Sequence, residues 1–308
     1  MQIILLFLFT VLCFSCNQQE KVSDSATQQY LDVSYVDDTL YRHKMDIYVP
    51  GGLTQPAPLV VYIHGGAFRA GEKGNAMQYT DSLFTHGYVI ADINYRLSQD
   101  SVFPALIYDC KTAVRFLKTQ AEKYSIDTAQ VGLIGHSAGG YLVAFLGTSM
   151  GVDSLEGYHL GSTEASSDVQ AVMDFFGPTD FLEMDPAIPL TPPDSCENLF
   201  IHDEPNSPES QLLGCLISEC PDRVKAANPI TYVDGNEAPI ALHHGTFDCL
   251  VPPNQSELLY NRLQSVNADA DLVLHPHMPH GGPYWSTPEM KGEILQFFDS
   301  KLRADSSQ

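Results

Sequence analysis

The hydrophobic positions of the chain fall into short apolar runs separated by longer stretches with helical periodicity. The short runs are rich in β-branched residues and lack a clean alternation, which is typical of strands buried on both faces. This succession predicts an α/β fold with a mostly parallel central sheet and helices on both faces. The predicted strands cover residues 46–49, 59–63, 89–93, 131–134, 171–175, 240–243 and 271–274, and the predicted helices cover 103–121, 137–146, 255–266 and the stretch after Thr287-Pro288.

One segment, residues 177–232, interrupts this rhythm because it contains many prolines, three cysteines and few periodic apolar positions. A connection of that length inside a compact domain is usually functional. We therefore expect a lid-like insertion within a single domain of residues 31–303. Cys215 and Cys220 bracket a short turn in it and are candidates for a disulfide. Cys110, on an apolar helix face, is expected to be a small buried hydrophobe.

The first 16 residues differ from the rest of the chain. Their apolar run is too short to cross a bilayer comfortably and suits a signal peptide. Ser15 before Cys16 resembles a lipoprotein signal, although Phe14 and the lack of Lys or Arg depart from it. A buried N-terminal strand is the alternative, but the polar residues 17–30 favour a flexible tether. We expect an exported protein, either periplasmic, anchored in the membrane through a lipid on Cys16, or secreted.

The charge balance limits the classes of partner. The chain has 38 acidic and 16 basic side chains, which give a formal net charge of −22. Such a surface repels nucleic-acid phosphates and anionic headgroups. We predict no nucleic-acid partner, and no membrane contact other than a lipid on Cys16.

A G-x-S-x-G motif spans residues 135–139, with Ser137 at its centre. By itself the motif is weak, but here it directly follows a predicted strand and directly precedes an apolar helix, which is the setting it requires. The small residues allow a tight turn that raises the Ser137 hydroxyl above the sheet. Ser137 is therefore the predicted nucleophile, and an ordinary glycine-rich turn is the alternative.

A second glycine-containing loop, His64-Gly65-Gly66-Ala67, follows the strand at residues 59–63. Acyl transfer passes through an oxyanion that needs N–H donors already aimed at it. We assign these donors to Gly66 and Ala67, together with Ala138 after the nucleophile. His64 precedes the nucleophile in the chain and is expected to organise the loop, although a plain turn is also possible.

The predicted acid of the catalytic triad is Asp248, which lies shortly after the strand at residues 240–243. Catalytic groups in open α/β sheets collect beyond the carboxyl ends of the strands. Asp180 and Asp234 are the competitors, but neither follows a strand so closely before the next helix.

The predicted base is His280, on a glycine-flanked loop between the final strand and the final helix. The order Ser137, Asp248, His280 is that of α/β-hydrolases. His275 and His277 are rivals, but His275 closes the strand and His277 follows a proline.

Several side chains next to these motifs are candidates for contact with substrate. Phe68, His136 and Trp285 are assigned to the substrate-binding set, with Trp285 as the strongest candidate for an acyl- or sugar-contacting surface. Phe68, Trp285 and Tyr141 are nevertheless interpreted first as core or pocket wall. Arg96 and Asp109 are interpreted as a structural ion pair near the nucleophile.

These motifs together resemble the bacterial acetylxylan/feruloyl-esterase-like (BD-FAE-like) branch of the α/β-hydrolases, near hormone-sensitive-lipase-like esterases and kynurenine formamidases. The resemblance covers residues 40–300 and rests on NYRL at 94–97, FPA at 103–105 with Asp109, GHSAGG at 135–140, ANPIT at 227–231, HGTFDCLVP at 244–252 and Gln255-Ser256. Ala67 stands where many relatives have a third glycine. The resemblance implies hydrolysis of acetyl or feruloyl esters on plant polysaccharides, or of similar small esters.

The expected reaction is serine ester hydrolysis through an acyl-enzyme, with no cofactor and no metal. An exopeptidase or amidase of the same fold is one alternative, although such peptidases usually carry an additional domain. A non-catalytic binding module is another, because fold alone does not ensure function.

Overall fold

The computed structural model of the protein describes residues 26–188 and 200–303. Eight strands form one sheet in the order β1-β2-β4-β3-β5-β6-β7-β8. The pairs β1·β2 and β2·β4 are antiparallel, and all other neighbours are parallel. The strands are β1 Gln28–Ser34, β2 Lys44–Val49, β3 Ala57–Ile63, β4 Val89–Ile93, β5 Ile126–His136, β6 Ala171–Phe175, β7 Ile240–Gly245 and β8 Ala270–His275.

Helices cover both faces of this sheet, as the α/β pattern predicted. Helices α2, α4 and α7 contribute to a large core on one face, whereas α1 and α8 pack a smaller core on the other. Buried leucine, isoleucine and valine side chains of the central strands point alternately into the two cores. The helices are α1 Ala76–Thr85, α2 Ala105–Thr119, α3 Ala121–Tyr124, α4 Ala138–Thr148, α5 Pro208–Leu213, α6 Pro221–Ala227, α7 Asn254–Ser265 and α8 Pro288–Leu302.

All seven predicted strands correspond to strands of the sheet, but β1 was missed. Its sequence, QQYLDVS, is mostly exposed and carries a weak apolar signal because an edge strand pairs on one side only. Asp46 on β2 accepts a hydrogen bond from the backbone N–H of Asp32. Residues 28–30 pair with Ile47, Tyr48 and Val49 of β2, so they belong to the sheet and not to the predicted tether.

Helix α1 was also missed, because few of its residues are buried in the core. Only Ala76, Thr80 and Leu83 are buried along its ten residues, so helical spacing of large apolar side chains is absent. The predicted helix over 103–121 is divided into α2 and α3, with the break at Gln120.

The segment 177–232 is packed onto the body of the domain through its described residues. Tyr141 on α4 donates a hydrogen bond to the carbonyl of Ala227 over 2.7 Å. Cys215 and Cys220 form the disulfide for which they were candidates. Cys249, directly after Asp248, is also disulfide-bonded, whereas Cys110 is a free and buried thiol.

The predicted ion pair between Arg96 and Asp109 is present, and the Asp109 side chain is fully buried. Arg96 Nη2 lies 2.6 Å from Asp109 Oδ1, and the backbone N–H of Arg96 donates to the other oxygen. His43 approaches the same carboxylate at 3.2 Å. The pair thereby fixes the chain after β4 against α2, which is a structural role.

The predicted signal peptide at 1–16, Cys13 and Cys16, the tether up to residue 25, and Cys196 lie outside the described residues. Within residues 26–188 and 200–303, no helix combines the length and the hydropathy that crossing a bilayer requires.

Candidate active site

Ser137 occupies a strained turn between β5 and α4. Its φ of 57° and ψ of −121° lie in a region that L-residues rarely adopt. A Cβ on Gly139 would stand 2.0 Å from the carbonyl oxygen of Ile63, and one on Gly135 would stand 2.3 Å from the carbonyl oxygen of Gly139. These close approaches require glycine at both positions, which explains the motif. The turn holds Ser137 at the carboxyl end of the sheet, at the start of a helix.

The structure brings Ser137, His280 and Asp248 into one hydrogen-bonded chain. His280 Nε2 lies 2.9 Å from Ser137 Oγ, and His280 Nδ1 lies 2.6 Å from Asp248 Oδ2. The Asp248 side chain is fully buried, and the His280 side chain is 16% exposed. An ionised Asp248 makes Nδ1 the protonated nitrogen, which leaves Nε2 as the acceptor for the Ser137 proton.

Asp248 is held as a carboxylate by several donors. Its Oδ1 accepts the backbone N–H groups of Leu250 and Val251 over 2.9 and 2.8 Å. Burial opposes ionisation, but the hydrogen bonds from His244 and His280 outweigh it and hold the pKa of the carboxyl below its ordinary value. The negative charge that orients His280 is therefore maintained well into acid.

His244 is a member of this network that the sequence interpretation missed. It is fully buried, its Nε2 lies 3.2 Å from Asp248 Oδ2, and its Nδ1 lies 2.7 Å from the hydroxyl of Ser256. The Ser256 proton can satisfy Nδ1, so Nε2 carries a hydrogen that is shared between the Val251 carbonyl, at 2.9 Å, and Asp248. Its position at the end of β7, four residues before Asp248, was the only signal available. His244 acts through Asp248 and is a positioning residue.

The alternative candidates for the acid and the base lie outside this hydrogen-bonded chain. Asp180 caps the short 3-10 helix Phe181–Glu183, and Asp234 is exposed in a turn. His275 contacts His243 and Tyr284, while His277 is exposed and its backbone N–H donates to Thr246. The geometry therefore favours the assignment of Asp248 and His280 over each competitor.

The loop with Gly66 and Ala67 lies directly against Ser137. A Cβ on Gly65 would stand 2.6 Å from the carbonyl oxygen of His136 and 3.3 Å from Ser137 Cβ. Gly66 and Ala67 both have positive φ, 125° and 53°. Within the described part of the chain, no group accepts a hydrogen bond from either N–H. Both donors are thus available to an oxyanion, together with Ala138 at the first position of α4.

His64 organises this loop, as its place in the sequence suggested. Its Nδ1 lies 2.7 Å from the carbonyl of Gly65, and its ring stacks on Tyr95 with the centroids 4.4 Å apart. Burial lowers the pKa of His64 to about 4, so the ring is neutral near pH 7.

Two pockets meet at Ser137. The smaller one offers about 30 Å³ and contains Phe68, whereas the larger one offers about 360 Å³ and contains His136 and Trp285. They share Ala67, Ser137 and Leu250. The smaller pocket is further lined by Ala138, Pro178, Phe200, His202, Pro208, Glu209 and Val251, and the larger by Tyr62, Gly65, Gly66, Tyr79, Phe176, His280 and Gly281.

The three predicted substrate-binding residues form walls of these pockets. Phe68 and Trp285 are each 1% exposed, and Trp285 Nε1 donates to the carbonyl of Pro279 beside His280. The His136 ring stacks on Phe175 at 4.5 Å, and burial lowers the pKa of His136 to about 3. Trp285 thus supports the His280 loop from behind and also lines the larger pocket, so its role as a substrate-contacting surface stays a prediction.

Asp174 on β6 lies beneath the nucleophile turn and provides a pH-dependent prediction. Its Oδ1 accepts the backbone N–H of Gly177 over 2.9 Å, and complete burial raises its pKa to about 7. A carboxyl group whose pKa is higher in the folded than in the unfolded protein costs no stability below its unfolded pKa, because it is protonated in both states there. The free energy of unfolding then falls as the pH rises through the folded-state pKa. We expect Asp174→Asn to remove this loss of unfolding free energy, which amounts to on the order of 2–4 kcal/mol above pH 8.

The measurement is the melting temperature of wild type and Asp174→Asn at pH 5 and pH 8. The difference, variant minus wild type, becomes more positive at pH 8. Asp234→Asn, at an exposed aspartate, serves as the control for the substitution itself. An Asp174→Asn difference that is equal at both pH values contradicts the prediction.

The sheet order, the strained serine turn and the position of the three motifs after β5, β7 and β8 define an α/β-hydrolase fold. Within that class, the chain belongs to the BD-FAE family, whose family model matches residues 45–263.

Solved structures agree with this assignment. A truncated carbohydrate esterase from gut microbiota is 31% identical, with a TM-score of 0.82, 91% of this chain covered and 98% of that one. A bifunctional GH43-CE protein from Bacteroides eggerthii is 32% identical, with a TM-score of 0.77, 92% of this chain covered and 36% of that one.

Curated sequences agree as well. Esterase LipC of Mycobacterium tuberculosis is 26% identical over 215 residues, which are 70% of this chain and 50% of LipC. The chain spans about half the length of the curated relatives LipC, LipM and LipQ of Mycobacterium tuberculosis.

Proposed function

We propose that this protein is a serine carboxylesterase that forms an acyl-enzyme on Ser137. The observation that carries the proposal is the continuous hydrogen-bonded chain from Ser137 Oγ through His280 to the buried carboxylate of Asp248. Membership of the BD-FAE family and the similarity to an esterase and to a carbohydrate esterase support it.

The proposed reaction has two stages. Neutral His280 takes the proton of Ser137 while Oγ bonds to the ester carbonyl carbon, and the carbonyl oxygen becomes an anion facing the N–H groups of Gly66, Ala67 and Ala138. His280 then gives the proton to the departing alcohol oxygen, so the ester bond breaks and the acyl group remains on Ser137. Water, deprotonated by the same histidine, releases the acid.

The alcohol and the acyl group of the ester substrate are assigned to different pockets. The leaving alcohol receives its proton from His280, so it must lie in the pocket that His280 lines, which is the larger one. The acyl chain then occupies the smaller pocket, beside Ala67 and Ala138. About 30 Å³ accommodates one or two groups of the size of a water molecule or a methyl. We therefore propose acetyl esters, and not feruloyl esters, as the substrates.

The larger pocket suits a sugar-sized alcohol. Its volume of about 360 Å³ and its walls of Tyr62, Tyr79 and Phe176 combine apolar faces with phenolic hydroxyl groups. Small-molecule sites of this kind fix a ligand with few polar groups on an aromatic wall. An acetylated saccharide is the substrate class that the site fits best, in line with the similarity to carbohydrate esterases.

A substrate panel tests these assignments. We expect kcat/KM for p-nitrophenyl acetate to exceed that for the octanoate by at least about 100-fold, because an over-long chain loses several kcal/mol of fit. Acetylated xylo-oligosaccharides release acetate, while methyl ferulate and alanine p-nitroanilide are poor substrates. Equal rates on acetate and octanoate contradict the acyl-pocket assignment, and a preference for the anilide favours the amidase alternative.

A matched pair of variants locates the limit on acyl length. Val251 lines only the smaller pocket, so Val251→Ala is expected to raise the butyrate-to-acetate ratio by about tenfold. Val233 is also buried but lines neither pocket, so Val233→Ala is expected to leave the ratio unchanged. A ratio that moves equally in both variants contradicts the assignment.

We also propose that the chain is exported. The disulfide between Cys215 and Cys220 supports an oxidising compartment. Mass spectrometry of the N-terminal peptide from the native host tests this proposal: an acylated Cys16 supports a lipoprotein, and a retained Met1 contradicts export.

A further inference from the structure

A cluster of two histidines and one glutamate lies outside the proposed catalytic triad. His243 on β7, His275 at the end of β8 and Glu293 on α8 bring their ligand atoms within 4.8 Å of one another. His243 Nδ1 lies 3.0 Å from His275 Nε2 and 3.8 Å from Glu293 Oε2. Both histidines are buried, and the Glu293 side chain is 47% exposed. The proposed hydrolysis uses none of these three residues.

Two of these separations, 3.0 and 3.8 Å, lie close to those of a metal-ligand set, and all three ligand atoms lie within 4.8 Å of one another. Zinc binds histidine nitrogen and carboxylate oxygen at about 2.0–2.2 Å with tetrahedral geometry, which places neighbouring ligand atoms about 3.3 Å apart. The two measured distances lie on either side of that value. The exposed Glu293 side chain has the freedom to close the longer one.

The surroundings hold the ligands in the orientation that a metal requires. His275 Nδ1 lies 3.1 Å from the Tyr284 hydroxyl, so Nδ1–H can donate there and direct the Nε2 lone pair toward His243. Such an outer hydrogen bond sets the tautomer of a metal-binding histidine. The ring of His243 is fixed by stacking on Phe175, with the centroids 5.0 Å apart.

The cluster is accessible and its electrostatic environment favours a cation. His243 and Glu293 line an open cavity of about 430 Å³, and Asp271 lines it too. Lys301, the cation in that lining, is paired with Asp269. The chain as a whole carries a formal charge of −22, which attracts divalent cations.

We propose that His243, His275 and Glu293 form a zinc site with two histidine ligands, one carboxylate ligand and a fourth position open to solvent. Bound zinc would join β7, β8 and α8. His275 packs against Trp285, which supports Pro279 beside His280, so the metal would also brace the loop that carries the catalytic base. The sequence interpretation expected no metal, because the ligands come from three separate elements and form no local motif.

The test is zinc binding to the purified, metal-free full chain, measured by isothermal titration with ZnCl₂. We expect one equivalent to bind, and Glu293→Gln and His275→Gln to weaken binding by at least about 100-fold. Saturating zinc is expected to raise the melting temperature of wild type by about 5 °C and that of Glu293→Gln by much less. Co²⁺ in place of zinc reports geometry through the intense visible bands of tetrahedral coordination.

Glu289→Gln is the matched control. Glu289 is an exposed glutamate on the same helix and lies outside the cluster, so the variant is expected to bind zinc as wild type does. Because Glu293 is also exposed, Glu293→Gln is expected to fold normally. The proposal is overturned if wild type shows no saturable binding, or if Glu293→Gln binds zinc as tightly as Glu289→Gln, which would place the metal elsewhere.

Discussion

Ser137→Ala is expected to lower kcat for p-nitrophenyl acetate by about 10⁵- to 10⁶-fold. The hydroxyl is the proposed nucleophile, and the proposed reaction gives no other side chain the bond to the carbonyl carbon. The remaining rate comes from binding and from the N–H groups of the Gly66 loop. The fold should be unchanged, because within the described residues His280 is the one hydrogen-bond partner of Ser137 Oγ.

Steady-state kinetics on purified protein, with circular dichroism to confirm folding, provide the measurement. Ser300→Ala, at an exposed serine on α8, is the control and is expected to retain the wild-type rate. A Ser137→Ala rate within about tenfold of wild type means that another group attacks the ester, since loss of the nucleophile costs several orders of magnitude.

Asp248→Asn is expected to lower kcat by about 10³- to 10⁴-fold. The carboxylate holds His280 with its proton on Nδ1, and an amide can present an N–H to the same nitrogen. His280 would then carry its proton on Nε2, where it can no longer accept from Ser137. The substitution is nearly isosteric and keeps an oxygen for the backbone N–H groups of Leu250 and Val251, so the loop should remain in place.

Asp234→Asn is the matched control for this variant. Asp234 competed with Asp248 in the sequence but is exposed, and its carboxylate accepts hydrogen bonds from Asn236 in its own turn, so its amide variant is expected to keep full activity. Equal losses in the two variants, or a fully active Asp248→Asn, would remove Asp248 from the proposed triad.

The nucleophile turn was predictable from the sequence because its signal is local. Gly135, Ser137 and Gly139 sit between a strand and a helix, and each glycine is required by a backbone contact that a Cβ would violate. The buried strands were predictable for a similar reason, since both faces must be apolar. Asp248 and His280 followed from their positions after strands β7 and β8.

Other features depend on contacts between distant parts of the chain. Trp285 stands beside the motif in the sequence, but only the fold shows that its ring is buried behind His280. His244 and His243 are adjacent in sequence and point to opposite faces of β7, toward Asp248 and toward His275. The edge strand β1 and helix α1 bury few large apolar side chains, so their sequences carry no clear strand or helix pattern. The two pockets arise from five or more segments and have no sequence signature.

The central claim is that Ser137 is an activated nucleophile, and its most direct test is covalent labelling with a fluorophosphonate. Intact-mass spectrometry of the purified protein should show one adduct per chain, and peptide mapping should place it on Ser137. Ser137→Ala should remain unlabelled, and Asp248→Asn should react far more slowly. An unmodified wild-type protein after prolonged treatment, or an adduct on a different residue, would contradict the account.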